Sequence, residues 1–202
     1  MFEVRIHGRG GQGVVTAAEM LSVAAFLEGK HAQAFPSFGS ERTGAPVVAF
    51  CRISDKEIRV REPIESPDAL IVQDPTLFRA LDVTEGLKPG GYLIVNTARS
   101  LEEMGLEAIV ARLPQGHVVT VAATDLALKH IGRPAPNTSL LGVLAAEVGV
   151  VSLGSVLEAI RRAFPGKVGE ANVAAAKASY ALIVGARANR PEDLGMGHAR
   201  TN

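Results

Sequence analysis

Gly8-Arg9-Gly10-Gly11-Gln12-Gly13 constrains this chain more than any other stretch, because it stands between an alternating run, Phe2 to His7, and a helical one, Val14 to Glu28. Ala17, Ala18, Leu21, Ala24 and Ala25 recur at helical spacing in the second run, and Gly29 ends it. A strand, a glycine loop and a helix in that order are the setting in which G-x-G-x-x-G cradles phosphate: glycine lets the backbone approach, and free amides at the helix start face the anion. The same six residues also make a tight strand-to-helix turn with no ligand. For an ordinary dinucleotide site an acid is required about 20 residues on, to hold the ribose hydroxyls. The chain offers Ala32, Gln33 and Ala34 there, and Glu28 comes too early.

The remaining pattern extends this βα start into an α/β domain. A short run at His31 to Phe35 leads to a loop, and Pro46 to Ile53 reads as a strand. Ile58 to Val60, alternating with Arg59 and Arg61, reads as the return arm of a hairpin. Ala69 to Val72 and Tyr92 to Val95 are uninterrupted apolar runs of the kind found in strands covered on both faces, and His117 to Val121 is a further strand. Thr76 to Leu81, Thr124 to Ile131, Ser139 to Gly149, Ser152 to Phe164 and Val168 to Ala188 read as helices, Ser152 as a cap. The expected fold is a three-layer α/β/α single domain with a mostly parallel sheet and a helical C-terminal part, over residues 1–188, with 189–202 a flexible tail or partner arm. At 202 residues and 47% hydrophobic content, one such core is well within reach.

Composition narrows the function by exclusion. Lys and Arg number 21 and Asp and Glu 21, so no net charge points to nucleic acid, and 4% aromatic residues without tryptophan supply few stacking platforms. The longest apolar stretches, such as Leu140 to Val151, fall short of the roughly 20 residues that span a bilayer, so no membrane association is expected. The opening strand leaves no room for a leader and predicts a cytoplasmic protein. Cys51, the one cysteine, reads as a small buried hydrophobe and cannot alone hold an iron–sulfur cluster.

A second loop, Ser37-Phe38-Gly39-Ser40-Glu41-Arg42-Thr43-Gly44, gathers hydroxyls and one cation between two strands. Arg42 can fork onto phosphate or carboxylate with Ser40 and Thr43 beside it, or can pair with Glu41 in a solvated turn. His7 is a contact candidate beside the glycine loop, whereas His31, His117, His130 and His198 lack metal-ligand spacing. Asp74 follows a buried strand and either meets a ligand or caps the next helix; Asn137-Thr138-Ser139 likewise reads as a cap or a contact.

The glycine loop, the run from Ala34 to Pro46, Ile71-Val72-Gln73-Asp74-Pro75-Thr76-Leu77 and Asn137-Thr138-Ser139-Leu140-Leu141-Gly142 together resemble the gamma subunits of pyruvate:ferredoxin oxidoreductase (pyruvate synthase), within the 2-oxoacid:ferredoxin oxidoreductase family. The resemblance spans nearly the whole chain. It implies a subunit, inactive alone, of a hetero-oligomer that converts pyruvate, coenzyme A and oxidised ferredoxin to acetyl-CoA, carbon dioxide and reduced ferredoxin. Alpha, beta and delta subunits are the implied partners. Thiamine diphosphate, magnesium and 4Fe–4S clusters are then carried by those subunits, with no catalytic or metal-binding residue in this chain. Coenzyme A is the implied ligand at its surface, with Gly8, Arg9, Gly10, Gly11, Gln12, Gly13, Ser40, Arg42, Thr43 and Asn137 as the contact set. Two other readings stand beside it: the gamma subunit of a branched-chain 2-oxoacid enzyme, and a free-standing nucleotide-binding module.

Overall fold

The short apolar runs become the middle of a six-stranded sheet in the computed structural model, which describes residues 1–37 and 44–188. In chain order the elements are β1 (Phe2–Arg9), α1 (Val14–Leu27), β2 (His31–Pro36), β3 (Pro46–Ser54), β4 (Ala69–Val72), β5 (Tyr92–Asn96), α2 (Glu107–Val110), β6 (Val118–Val121), α3 (Ala123–Ile131), α4 (Asn137–Glu147), α5 (Leu153–Ala163) and α6 (Gly166–Ala188). A 3₁₀ turn at Pro75–Arg79 follows β4. The strand order is β2-β3-β1-β4-β5-β6. β1, β4, β5 and β6 pair in parallel, while β3 runs antiparallel to both β1 and β2. Five strands therefore point one way and β3 alone opposes them, which makes the sheet mostly parallel as expected.

Side-chain alternation sorts the two faces. Val4 and Ile6 of β1, Ile71 of β4 and Ile94 of β5 turn toward α1, α4, α5 and α6 and form the larger core. Leu70, Val72, Leu93 and Val95 turn the other way and meet Leu77, Val83, Phe78 and Met104. The second outer layer is thin, consisting of the 3₁₀ turn, the one-turn α2 and the segments around them. Burying each of these Leu, Ile or Val side chains stabilises the fold by about 1.5–3 kcal/mol.

Helix α4 is buried along nearly all of its length, Asn137 through Ala145 without a break. A helix apolar all round belongs inside a protein, and this one runs between the sheet and α6. Gly142 permits the contact: a Cβ there would lie 2.2 Å from the Ala176 carbonyl oxygen of α6 and 2.5 Å from Ser179 Oγ. Ser179 Oγ donates to the Ser139 carbonyl at 2.6 Å, and Thr138 Oγ1 donates to Asn172 Oδ1 at 3.1 Å, so the crossing is pinned by buried polar groups as well.

Two expectations are corrected. Ile58 to Val60 forms no strand, and the hairpin is instead β2 with β3, registered from His31 opposite Ser54 to Pro36 opposite Ala49. The alternation at 58–61 arises because Ile58 is tucked partly inward while Arg59, Val60 and Arg61 are exposed, with no pairing partner. Helix α4 begins two residues earlier than expected, its N-cap position is Pro136, and Asn137, Thr138 and Ser139 lie inside its first turn and not ahead of it. Ser152 caps α5 as expected, its Oγ accepting from the Ser155 amide at 3.2 Å. Residues 189–202, expected as a tail, lie outside the described residues.

Candidate ligand-binding site

The chain leaves β1 through α1 to reach β2 on one side of the sheet, whereas β4 pairs with β1 on the other. That reversal opens a crevice beyond the C-terminal ends of β1 and β4, the usual place for ligands in α/β sheets. The glycine loop and the turn at 73–76 both emerge there. Gly13 has φ +72°, in the left-handed region, and a Cβ on it would lie 2.5 Å from Asn137 Nδ2, so only glycine suits this position. Gly11 has φ +93° and open space above it, leaving the loop backbone approachable.

The loop is braced from two sides. Arg9 Nε donates to Asp74 Oδ2 at 3.1 Å, its Nη1 to the Gly44 carbonyl at 3.1 Å and its Nη2 to Thr76 Oγ1 at 2.8 Å. Gln12 closes the same circuit: Nε2 donates to Asp74 Oδ2 at 3.1 Å, and Oε1 accepts the Arg9 amide at 2.8 Å. Main-chain bonds from Gly10 to Ala45 (2.9 Å) and from Gly44 to Gly10 (3.1 Å) tie the glycine loop to the end of the second loop. Burial pushes the Asp74 carboxyl up, but the Thr76 hydroxyl and amide, Gln12 and the Arg9 charge outweigh it and hold that carboxyl below the ordinary range. Asp74 also caps the 3₁₀ turn through the Thr76 amide. Arg9, named from sequence as a ligand contact, has its guanidinium committed to the protein in this way and acts as a strut.

In front of the loop lies a cavity of about 240 Å³, lined by Gly11, Gln12, Gly13, Thr16, Arg133 and Asn137 together with Pro134, Ala135 and Phe164. Asn137 is 4% exposed; its Nδ2 donates to the Gly13 carbonyl at 3.4 Å, and its Oδ1 has no partner among the described residues. A buried acceptor left bare costs about 1–3 kcal/mol. Of the residues expected from sequence, the structure thus brings Gly11, Gln12, Gly13 and Asn137 together at one cavity. Gly8, 2.5 Å from Val14 Cγ2 at a would-be Cβ, and Gly10 serve the loop's shape.

Ser40, Arg42 and Thr43 lie outside the described residues. The His7 ring is buried, on the sheet face opposite α4 and opposite Val72, away from the cavity. Burial, then the Arg5 charge, lowers its pKa to about 4, so it is neutral near pH 7. Cys51 is fully buried in β3 and burial pushes its thiol up, as suits a core residue. Thr16 and Arg133 escaped the sequence reading. The signal for Arg133 was the run Gly132-Arg133-Pro134-Ala135-Pro136, a stiff loop leading into a helix with no capping side chain.

A family model described as pyruvate ferredoxin/flavodoxin oxidoreductase matches residues 3–182. The pyruvate/ketoisovalerate oxidoreductases common subunit gamma of Thermococcus kodakarensis is 52% identical over 180 residues, 89% of this chain and 96% of the relative. Pyruvate synthase subunit PorC of Methanocaldococcus jannaschii is 47% identical over the same shares. Among solved structures, pyruvate oxidoreductase subunit PORC of Thermotoga maritima superposes with a TM-score of 0.74 at 40% identity, covering 89% of this chain and 95% of that one.

Proposed function

The chain belongs to the pyruvate ferredoxin/flavodoxin oxidoreductase family, and from that premise we propose that it is the gamma subunit of a cytoplasmic pyruvate:ferredoxin oxidoreductase, presenting coenzyme A to a reaction centre held by partner subunits. The reaction oxidatively decarboxylates pyruvate, passes the electron pair to ferredoxin and joins the acetyl group to the coenzyme thiol. Thiamine diphosphate, magnesium and iron–sulfur clusters belong, in this reading, to the alpha, beta and delta chains. The described residues of this chain contain no group of three or more His, Cys, Asp or Glu that could hold a metal ion. No helix among them is long and apolar enough to cross a membrane.

The observation that carries the coenzyme assignment is Asn137, a buried amide that lines the cavity walled by the glycine loop and whose Oδ1 has no partner among the described residues. A ligand that offers a hydrogen donor beside an anionic group satisfies both walls, and coenzyme A does so through its hydroxyls, amides and phosphates. The pyruvate-type blocks and the relatives named for pyruvate favour pyruvate as the oxoacid. The Thermococcus relative is named for ketoisovalerate as well, so a branched-chain oxoacid is the alternative substrate of the same assembly.

The test is the assembled complex carrying Asn137→Ala. Its KM for coenzyme A is expected to rise about tenfold, from loss of a contact of roughly 1–2 kcal/mol, with little change in the KM for pyruvate. An unchanged KM for coenzyme A, in a complex of intact native mass, overturns the coenzyme role. Absence of partner chains from the native complex overturns the subunit role.

A further inference from the structure

We propose that two copies of this chain pair through the free edge of β2, antiparallel about a twofold axis at Gln33, and so join their sheets into one. The strand order leaves β2 at one end of the sheet, with β3 as its one neighbour. The Ser37 amide donates to the Val48 carbonyl at 2.8 Å and continues the register of β2 with β3, so His31, Gln33 and Phe35 turn their main-chain groups toward β3. Ala32 and Ala34 therefore turn theirs outward. On the far side of β3 the Gly10 amide donates to the Ala45 carbonyl at 2.9 Å, which continues the register of β1 with β3 and fixes the same alternation. Neither the Ala32 nor the Ala34 amide has a partner among the described residues.

Sheet edges are ordinarily blunted by charged side chains, proline, a bulge or a covering segment. Between His31 and Pro36, β2 carries Ala, Gln, Ala and Phe, with no charge among them. A groove of about 600 Å³ lies against the first half of the strand, lined by Lys30, Ala32 and Gln33 with Phe26 and Ile58. Phe26, in the last turn of α1, is 71% exposed, more than any other large apolar side chain among the described residues. The strand at the opposite end of the sheet, β6, is only four residues long.

The hydrogen-bonding groups of the edge match a second copy of themselves. Pairing about Gln33 sets Ala32 opposite Ala34 of the second copy and Ala34 opposite its Ala32, which closes both outward pairs with main-chain hydrogen bonds. Lys30 and Pro36 come opposite each other at the two ends. The Lys30 amide already donates to the Ala25 carbonyl at 3.1 Å and proline has no amide, so neither copy is left with a bare donor. Side chains of directly opposed residues share a face. Ala32 and Ala34 pack on the α1 side of the sheet, where their small size leaves room for Phe26, while Phe35 of the second copy stands beside the exposed His31. Gln33, whose Oε1 has no partner among the described residues, meets the Gln33 amide of the second copy at the axis.

The experiment is sedimentation equilibrium of the purified full chain up to about 100 μM, with amide exchange at Ala32 and Ala34. Expected are a dimer and exchange at both amides that slows as the concentration rises. Ala34→Pro removes an outward amide and keeps the ladder to β3, so the dimer Kd should rise about a hundredfold. Phe26→Ser, at a position the fold leaves in solvent, should raise it about tenfold. If Ala34→Pro fails to fold by circular dichroism, Phe26→Ser decides. A chain that stays monomeric, or a dimer unchanged by Phe26→Ser and by a folded Ala34→Pro, overturns the proposal. Protection of Ala32 and Ala34 at every concentration means that the chain covers its own edge, and overturns it as well. So does an assembled complex that holds one copy of this chain and fails to form with Ala34→Pro, since a strand of another subunit then occupies the edge.

Discussion

Replacing Asp74 by Asn tests whether the glycine loop is held by its strut. In the native protein Oδ2 accepts from Arg9 Nε and Gln12 Nε2, both at 3.1 Å, while Oδ1 accepts from the Thr76 amide at 3.0 Å and from Thr76 Oγ1 at 2.5 Å. Asparagine keeps one acceptor oxygen and turns an NH₂ toward the remaining donors. Gln12 cannot relieve the clash by flipping, because its Oε1 already accepts the Arg9 amide. Hydrogen bonds to charged groups are worth about 1.5–3 kcal/mol, and solvent at the partly exposed Arg9 side chain, 31% accessible, takes the lower end. The expected cost is therefore about 2 kcal/mol, or a fall in Tm of roughly 4–8 °C for a chain of this size. Urea denaturation of the purified chain measures it, and amide exchange at Gly10 and Gly44 should quicken together, since their bonds join the two loops. The carboxyl is held below its ordinary range, so its contribution is full above about pH 4 and disappears as the pH falls through the folded-state value. The Asn variant should lack that acid-side loss. A cost under about 0.5 kcal/mol with unchanged exchange at both glycines would show that the loop holds its shape without the strut.

Gly142→Ala drives a methyl group into the Ala176 carbonyl and should cost about 2–3 kcal/mol, whereas Gly154→Ala in α5, whose nearest neighbour would be Ser152 Oγ at 3.7 Å, should stabilise by about 0.5 kcal/mol. Equal melting temperatures for the two variants would contradict the close α4–α6 crossing. For His7 the folded pKa, about 4, lies below the unfolded value of 6.5. The unfolded chain therefore binds the extra proton, and stability, full above pH 6.5, falls by about 3 kcal/mol on going down to pH 4. His7→Leu should flatten that part of the profile in denaturation measured across pH, and a wild-type profile flat from 6.5 to 4 would refute a buried neutral imidazole.

Those features that rest on short-range pattern were legible in the sequence. Ile71 and Ile94 sit in apolar runs that can only be covered strands, and the glycine loop declares its turn through residues that tolerate positive φ. The β2–β3 hairpin was not legible, because His31-Ala32-Gln33-Ala34 has weak strand character and is stabilised by its neighbour β3. Ile58 to Val60 misled for the converse reason: alternation without a partner makes no strand. At the site, Asn137 was named from its block, but Arg133 and Thr16 meet only because the α3–α4 connection folds over the start of α1, across more than a hundred residues of chain. Arg9 likewise meets Asp74 only through the fold, and its bracing of the loop shows once that partner is in view.

The reversal at β3 bears on how this family can vary. Because β2 runs with β1 and β3 returns against it, the connection between them is delivered to the same sheet edge as the glycine loop. Its ends are fastened independently of what lies between, through Ser37 to the Val48 carbonyl at 2.8 Å and through Gly44 to the Gly10 carbonyl at 3.1 Å. The posts at Ser37 and Gly44 are thus set by β3 and by the glycine loop. Sequence change between the posts can therefore be selected, or engineered, without breaking either of the two bonds that hold them.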